Sequence, residues 1–461
     1  MRNNPYGYRR FLTVLRILSV GSVVFGVLVG PLGPIAAYAQ DVPAAELDSL
    51  RAEIEVLRAQ LDSLGDVVGR GQVGQGVRRQ GEPQTDAIAR LRAAAEAAAR
   101  DATTDTIAQV QGTQEFVGRA RSLQALNPEI SLNGDLYGSI QSDDPGAENF
   151  IPREFEFSFD SALDPYTRAK VFLTVEEDGG RVEVFPGDLD EESDEAAVGV
   201  EEGYVEWVAL PGGFGLKVGR FFQQFGQLNR WHSHALQFQS RSLPHLAFIG
   251  EGSLAQDGAS AHWFLPTGGS GAYEATVEVT RSRNEILFGE AHGLSYLGHM
   301  NAFWQLSAST DLDLGVSALF GDYEDLAGRY GNRLFGAEMS FNWVPPGRAL
   351  YRGVVVRAGV MLSDPGAVTG LSEPDPALGV WSLAEIKLSR QWIAGGRYEW
   401  VENPENPTES AWLASPALTY WQSEYVRLRA EYDVLGNPGK TTGQFTLRIT
   451  FAMGPHKHET Y

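Results

Sequence analysis

The chain has no cysteine in its 461 residues. Disulfides, thiolate metal sites and cysteine nucleophiles are therefore excluded. Positive charge is scarce, with 37 Lys and Arg against 59 Asp and Glu, for a net charge of −22. Neither nucleic acid nor an anionic lipid surface would be drawn to it by charge. Downstream of residue 39 no apolar run reaches the ~20 residues of a membrane-spanning helix. No nucleophile elbow, metalloprotease signature or other catalytic constellation is present, so neither enzymatic activity nor a cofactor is expected. No unit of about 20–50 residues repeats, which argues against a propeller or solenoid.

What the sequence does have is period-two alternation, clearest at its last strand. Over residues 444–453, Phe445, Leu447, Ile449, Phe451 and Met453 alternate with Thr446, Arg448, Thr450 and Ala452. Successive side chains of a strand point to opposite faces, so the two sets are segregated. The preceding stretch repeats this, with Val426, Leu428, Ala430 and Tyr432 opposing Arg427, Arg429, Glu431 and Asp433. Upstream, Phe155, Phe157 and Phe159 oppose Glu154, Glu156 and Asp160, and Leu216 and Val218 oppose Lys217. Val354, Val356, Ala358 and Val360 likewise oppose Arg357. A face that carries charge on strand after strand is not a protein core. Apolar toward lipid and polar toward a wet lumen is the pattern of a transmembrane β-barrel, in which a lipid-facing Lys or Arg at mid-depth costs roughly 2–4 kcal/mol. Trp207, Trp304, Trp343, Trp392, Trp400 and Tyr432 fall on the apolar faces, mostly near strand ends, and suit interfacial girdles.

Alternation and turn signals predict an all-β transmembrane barrel of about 16 antiparallel strands, over residues 129–453. Tight turns are expected at 163–165, 211–213, 267–271, 309–311, 345–347 and 389–390. Long connections are expected at 177–199, 222–252, 281–294, 322–332, 363–377 and 402–410. Short periplasmic turns and longer outside loops are the usual asymmetry, and an even strand number leaves both termini periplasmic.

Ahead of the barrel, Arg2, Arg9, Arg10 and Arg16, an apolar segment and Ala37-Tyr38-Ala39 mark residues 1–39 as a signal peptide. Over residues 40–66, Leu47, Leu50, Ile54, Leu57, Leu61 and Leu64 follow a three-four spacing. That seam reads as a short coiled coil that would set a homotrimer, or as one amphipathic helix lying on the barrel. Residues 67–128 form a linker with an alanine-rich helix, either a stalk or a partial plug. Residues 454–461 are a His-bearing periplasmic tail.

A barrel of about 16 strands is too wide for side chains to fill. The longest connection, 222–252, is the third on its side and carries Gln223, Gln224, Asn229, Arg230, His232, His234, Arg241 and His245. It is expected to fold inward as a constriction, the alternative being a surface lid. Lys217, Arg220, Arg230, Arg427, Arg429, Arg448 and Glu431 are the expected pore-lining residues. Their arginines predict a cationic zone and a mild anion preference. His232 and His234 form a candidate metal pair, since imidazoles suit zinc, copper and nickel. Most such pairs at i, i+2 hold no metal.

The run Val218-Gly219-Arg220-Phe221-Phe222, followed by Phe225-Gly226, resembles a stretch of phosphate-selective porin-like outer-membrane barrels. Those proteins also often carry a short coiled coil at the mature N-terminus. His232-Ser233-His234 and the tail Gly454-Pro455-His456-Lys457-His458 look like barrels described as metal-regulated outer-membrane receptors. These resemblances imply an outer-membrane porin of a Gram-negative-type bacterium, with its N-terminal segment in the periplasm. The expected partners are outer-membrane lipid, small hydrophilic solutes or ions, and further copies of the chain; nucleic acid is not among them. The alternative function is a zinc-type, metal-related uptake receptor barrel. Residues 40–128 make a poor globular plug for an energy-coupled transporter.

Overall fold

A computed structural model describes residues 128–142, 150–177, 184–185, 197–266, 271–325, 328–366 and 375–454. The expected signal peptide, coiled coil, linker helix and the tail beyond Gly454 lie outside the described residues. The strands are β1 (Glu129–Gln141), β2 (Ile151–Ala162), β3 (Thr167–Glu176), β4 (Ala197–Leu210), β5 (Phe214–Phe222) and β6 (Ala255–Leu265). There follow β7 (Gly271–Arg281), β8 (Leu294–Ser307), β9 (Thr310–Asp325), β10 (Gly328–Trp343) and β11 (Gly353–Pro365). The last five are β12 (Ala377–Lys387), β13 (Trp392–Glu402), β14 (Ser410–Trp421), β15 (Val426–Asn437) and β16 (Lys440–Met453). Each pairs antiparallel with its chain neighbours, and β1 closes on β16 from Leu132 opposite Met453 to Gln141 opposite Gln444. Closure pairs every strand edge, which hydrocarbon demands because it offers backbone groups no water.

The faces follow the alternation. Phe445, Leu447 and Met453 are 43%, 48% and 53% exposed, whereas Thr446 and Arg448 between them are at 1%. Val218, Val277, Met300, Val316 and Phe320 stand outward on other strands. An apolar exterior on a closed sheet is a lipid-facing surface, and this barrel spans a membrane through it. Aromatic pairs occur at both ends. Trp392 lies against Tyr420 at 4.8 Å and Phe214 stacks on Trp263 at 5.2 Å at the short-turn end. Tyr323 meets Tyr330 at 5.1 Å at the other end.

One expected long connection, 322–332, is not a loop. β9 runs on to Asp325 and β10 resumes at Gly328. Tyr323 sits directly opposite Tyr330, and Arg329 donates to Asp322 Oδ2 at 2.7 Å. These cross-strand pairs extend a polar hairpin past the apolar belt, so its composition imitates a loop.

Candidate functional site

The connection between β5 and β6 turns into the barrel, and two glycines set its entry. Gly219 has φ +141°, with the Gly203 carbonyl and Tyr204 packed where a side chain would stand. Gly226 has φ +67°, and a Cβ there would meet Glu338 Oε2 at 2.7 Å. Glycine tolerates both the backbone and the close approach. Lumenal acceptors then take the loop's amides in turn. Phe222 N donates to Glu202 Oε1 (2.7 Å), Gln224 N to Glu278 Oε2 (3.2 Å), Gly226 N to Ser317 Oγ (3.1 Å) and Gln227 N to Glu338 Oε2 (2.8 Å).

Beyond this limb the chain makes single 3-10 turns at Leu228–Arg230 and Ser233–Ala235, then the short helix α1 (Leu243–Phe248), which has a proline in its first turn. Gln239 N donates to Glu431 Oε2 (3.1 Å) and Leu243 N to Glu399 Oε2 (2.7 Å). The loop carbonyls accept from wall arginines. Arg427 reaches His234 O (2.7 Å), Arg448 reaches Ser233 O (2.7 Å) and Phe238 O (3.0 Å), and Arg397 reaches Ser240 O (3.0 Å). Arg153 of β2 reaches Ser233 O (2.9 Å) and Gln239 O (2.6 Å). Irregular backbone has no strand to pair with, and a buried amide or carbonyl left alone is costly. Wall charges of both signs meet that requirement here.

Wall charges also neutralise one another. Arg448 Nε lies 2.6 Å from Asp135 Oδ1, and Arg153 binds the same carboxylate. Arg397 contacts Glu431 at 3.1 Å and Glu399 at 3.5 Å, and Arg429 pairs with Glu385. The Arg397 and Arg429 guanidiniums each lie 5.0 Å from the Phe238 ring centre, within cation–π range. Apolar packing completes the docking. Phe225, Leu243, Phe248 and Ile249 join Leu287 and Phe288 of α2 (Glu285–Phe288) and the inward-facing Leu297, Leu319, Leu334 and Leu413. Sequence reading missed this inner apolar patch. Its signal was leucine on the polar parity of β8, β9, β10 and β14.

The expected pore residues separate into groups. Arg427, Arg429, Arg448 and Glu431 do come together, but bound to the loop and to Asp135, Glu385 and Arg397. Within the expected cationic zone Arg429 pairs with Glu385 and Arg448 shares Asp135 with Arg153, whereas Arg427 donates, among the described residues, only to His234 O, Leu236 O and Thr450 Oγ1. Lys217 faces inward, 4.4 Å from the Tyr204 ring centre. Arg220 does not join them. It shares the outward face of Leu216 and Val218 and lies 3.9 Å from Asp257 on β6. Arg230 donates to Gln224 Oε1 at 2.7 Å within the loop.

His232 and His234 enter a cluster of carboxylates. His232 Nδ1 is 2.7 Å from Glu156 Oε2 and 2.8 Å from Glu201 Oε2, and its Nε2 is 3.3 Å from Glu202 Oε2. His234 Nδ1 is 2.6 Å from Glu154 Oε1. Glu201 reaches the lumen because of a bulge: Phe172 pairs with Glu202 and Leu173 with Val200, leaving Glu201 as the extra residue. Burial alone would lower the His232 pKa, but Glu201 and Glu156 outweigh it and hold the imidazole well above its ordinary value. His245 goes the other way, pushed well below by burial and by Arg241.

Two cavities flank this layer. One, of about 260 Å³, opens toward the long connections past Glu154, Glu176, Glu177, Glu201, Glu251, Asp433, Arg153 and Arg241. The other, of about 250 Å³, opens toward the short turns past Glu156, Glu202, His232, His234, Glu424, Arg230 and Arg427. No residue lines both.

No family model matches the chain. A curated protein of Aquifex aeolicus (strain VF5), described as uncharacterized, is 26% identical over 306 residues, covering 56% of this chain. The chain spans 62% of the length of that relative. An anion-selective porin from Comamonas acidovorans is similar with a TM-score of 0.49 and 8% identity, over 71% of this chain and 100% of that one. OmpF of Salmonella typhi, in complex with daunomycin, has a TM-score of 0.48 and 9% identity over 72% and 99%. The outer membrane channel DcaP of Acinetobacter baumannii has a TM-score of 0.46 and 11% identity over 75% and 100%.

Proposed function

We propose that this chain is a non-enzymatic outer-membrane channel for passive diffusion of small hydrophilic or ionic solutes, with the connection between β5 and β6 as its constriction. The observation that carries the reading is a loop docked on charged wall residues within a closed, lipid-facing barrel, with a water-accessible cavity on each side. Passage runs off-axis, along the wall of β1 to β4, through the layer of His232 and His234. Of the arginines of β15 and β16, Arg429 and Arg448 are paired with carboxylates, which weakens the field they offer to anions. Carboxylates predominate around the cavity nearer the long connections, so the channel prefers cations, which reverses the preference expected from sequence. Planar-bilayer recording in a salt gradient tests both parts. Discrete conductance steps with a cation-side reversal potential are expected; a folded barrel that passes no current refutes the channel.

The second reading, a metal-related uptake barrel, is favoured by the placement of His232 and His234 among four carboxylates. The chain assembles as a homotrimer through residues 47–64, with its N-terminal segment in the periplasm.

A further inference from the structure

We propose that Glu154, Glu156 and His234, with Glu201 and His232 beside them, bind a zinc-class divalent cation at the boundary between the two cavities. The site stands on its own geometry; only its effect on current rests on the channel reading. It deepens the metal-related reading by naming the ligands, the ion class and the place.

The ligands come from three separate elements: β2, the bulge of β4 and the inward loop. In each of two triads, Glu154 with Glu156 and His234, and Glu156 with Glu201 and His232, one donor atom per residue lies within 4.8 Å of the others. Glu156 belongs to both. Donors about 2.0–2.2 Å from a zinc ion stand roughly 3–3.5 Å apart, so side-chain adjustment alone closes either triad. Carboxylates with imidazoles suit zinc and its neighbours better than calcium or magnesium, which take oxygen.

An independent observation points to a cation ligand. Glu154 is 1% exposed, and its Oε2 accepts no hydrogen bond among the described residues. Its other oxygen faces His234 Nδ1. A buried carboxylate oxygen without a partner is costly, and a cation would satisfy it. The neighbouring guanidinium, Arg153, is directed at Asp135 and at loop carbonyls instead. Access is available from both sides. Glu154 and Glu201 line one cavity, and Glu156, His232 and His234 line the other. A bound ion would clamp the loop to β2 and β4 in the proposed path.

The experiment uses the full mature chain in detergent micelles, stripped with a chelator and titrated calorimetrically with zinc chloride, with magnesium chloride as the control. Because His456 and His458 in the tail could also take zinc, a His456→Ala/His458→Ala variant is titrated in parallel. Saturable zinc binding is expected in wild type and tail variant, weakened at least tenfold in Glu154→Gln and His234→Gln, with no response to magnesium. Binding that disappears with the tail histidines, or persists unchanged in both site variants, overturns the proposal. X-ray absorption on the zinc-loaded tail variant requires no site mutation: nitrogen and oxygen ligation with imidazole scattering supports the site, and a water-only shell overturns it. Bilayer recording separates the two readings. Zinc block of wild-type current, relieved in Glu154→Gln, supports both. Zinc binding lost in the site variants, with no current in any protein, leaves the site standing and removes the channel.

Discussion

Arg448→Met is the sharpest test of how the inward loop is held. Methionine fills similar space with no charge and no donor. The substitution removes the contacts to both Asp135 oxygens and the donors to Ser233 O and Phe238 O. Truncating one partner of a buried ion pair costs roughly 3–5 kcal/mol. Arg153 still holds Asp135, so the electrostatic part falls below that range. Ser233 O keeps its donor from Arg153, and the orphaned Phe238 carbonyl adds about 1–3 kcal/mol. A net loss near 3 kcal/mol lowers the docked-to-released ratio of the 233–238 stretch by roughly 100-fold. Docking to Glu278, Glu338 and Glu399 is untouched, so release is local. Single-channel recording should show larger and noisier conductance, and limited proteolysis in micelles should show a new cut near this stretch. Leu447→Ile, adjacent but lipid-facing, should do neither. A folded Arg448→Met barrel with unchanged conductance and unchanged proteolysis would refute the docking argument.

Leu447→Arg should impair barrel assembly by roughly 2–4 kcal/mol, read as lost heat-modifiable gel migration, whereas Thr450→Arg, which points into a cavity, should assemble; equal yields would reverse the face assignment. Acid should loosen the loop at His245. Its docked pKa lies well below the ordinary 6.5, so docking is full above about that value and weakens as pH falls below it, where only the released imidazole takes a proton. The facing charges are Arg241 and, across a small cavity, Glu338. Conductance noise should rise on acidification, and His245→Gln should flatten the rise; an identical profile in that variant would place the acid response elsewhere. Deleting residues 40–84 should reduce a cross-linked trimer to monomer, and an unchanged oligomer would assign association to the barrel wall.

Alternation by itself determined the barrel. Period-two patterning is a local property of a strand, and the charge faces of β2, β11, β15 and β16 needed no partner to be read. The same rule held against a motif: once Leu216 and Val218 face lipid, Arg220 must follow them, although the run around it suggested a pore role. Thr446 shows where parity stops. Its inward face was legible, but its burial opposite Glu431 was not. Loop length and content marked the connection after β5 as unusual, yet its destination rests on contacts with residues far along the chain. Glu201 is the clearest case. By parity it belongs outside, and only the bulge opposite Phe172 and Leu173 turns it toward His232. Strand faces depend on the backbone repeat and can be read from neighbours in sequence. Register shifts and loop docking depend on which distant amide, carbonyl or charge remains unpaired, and that is decided only when the barrel closes.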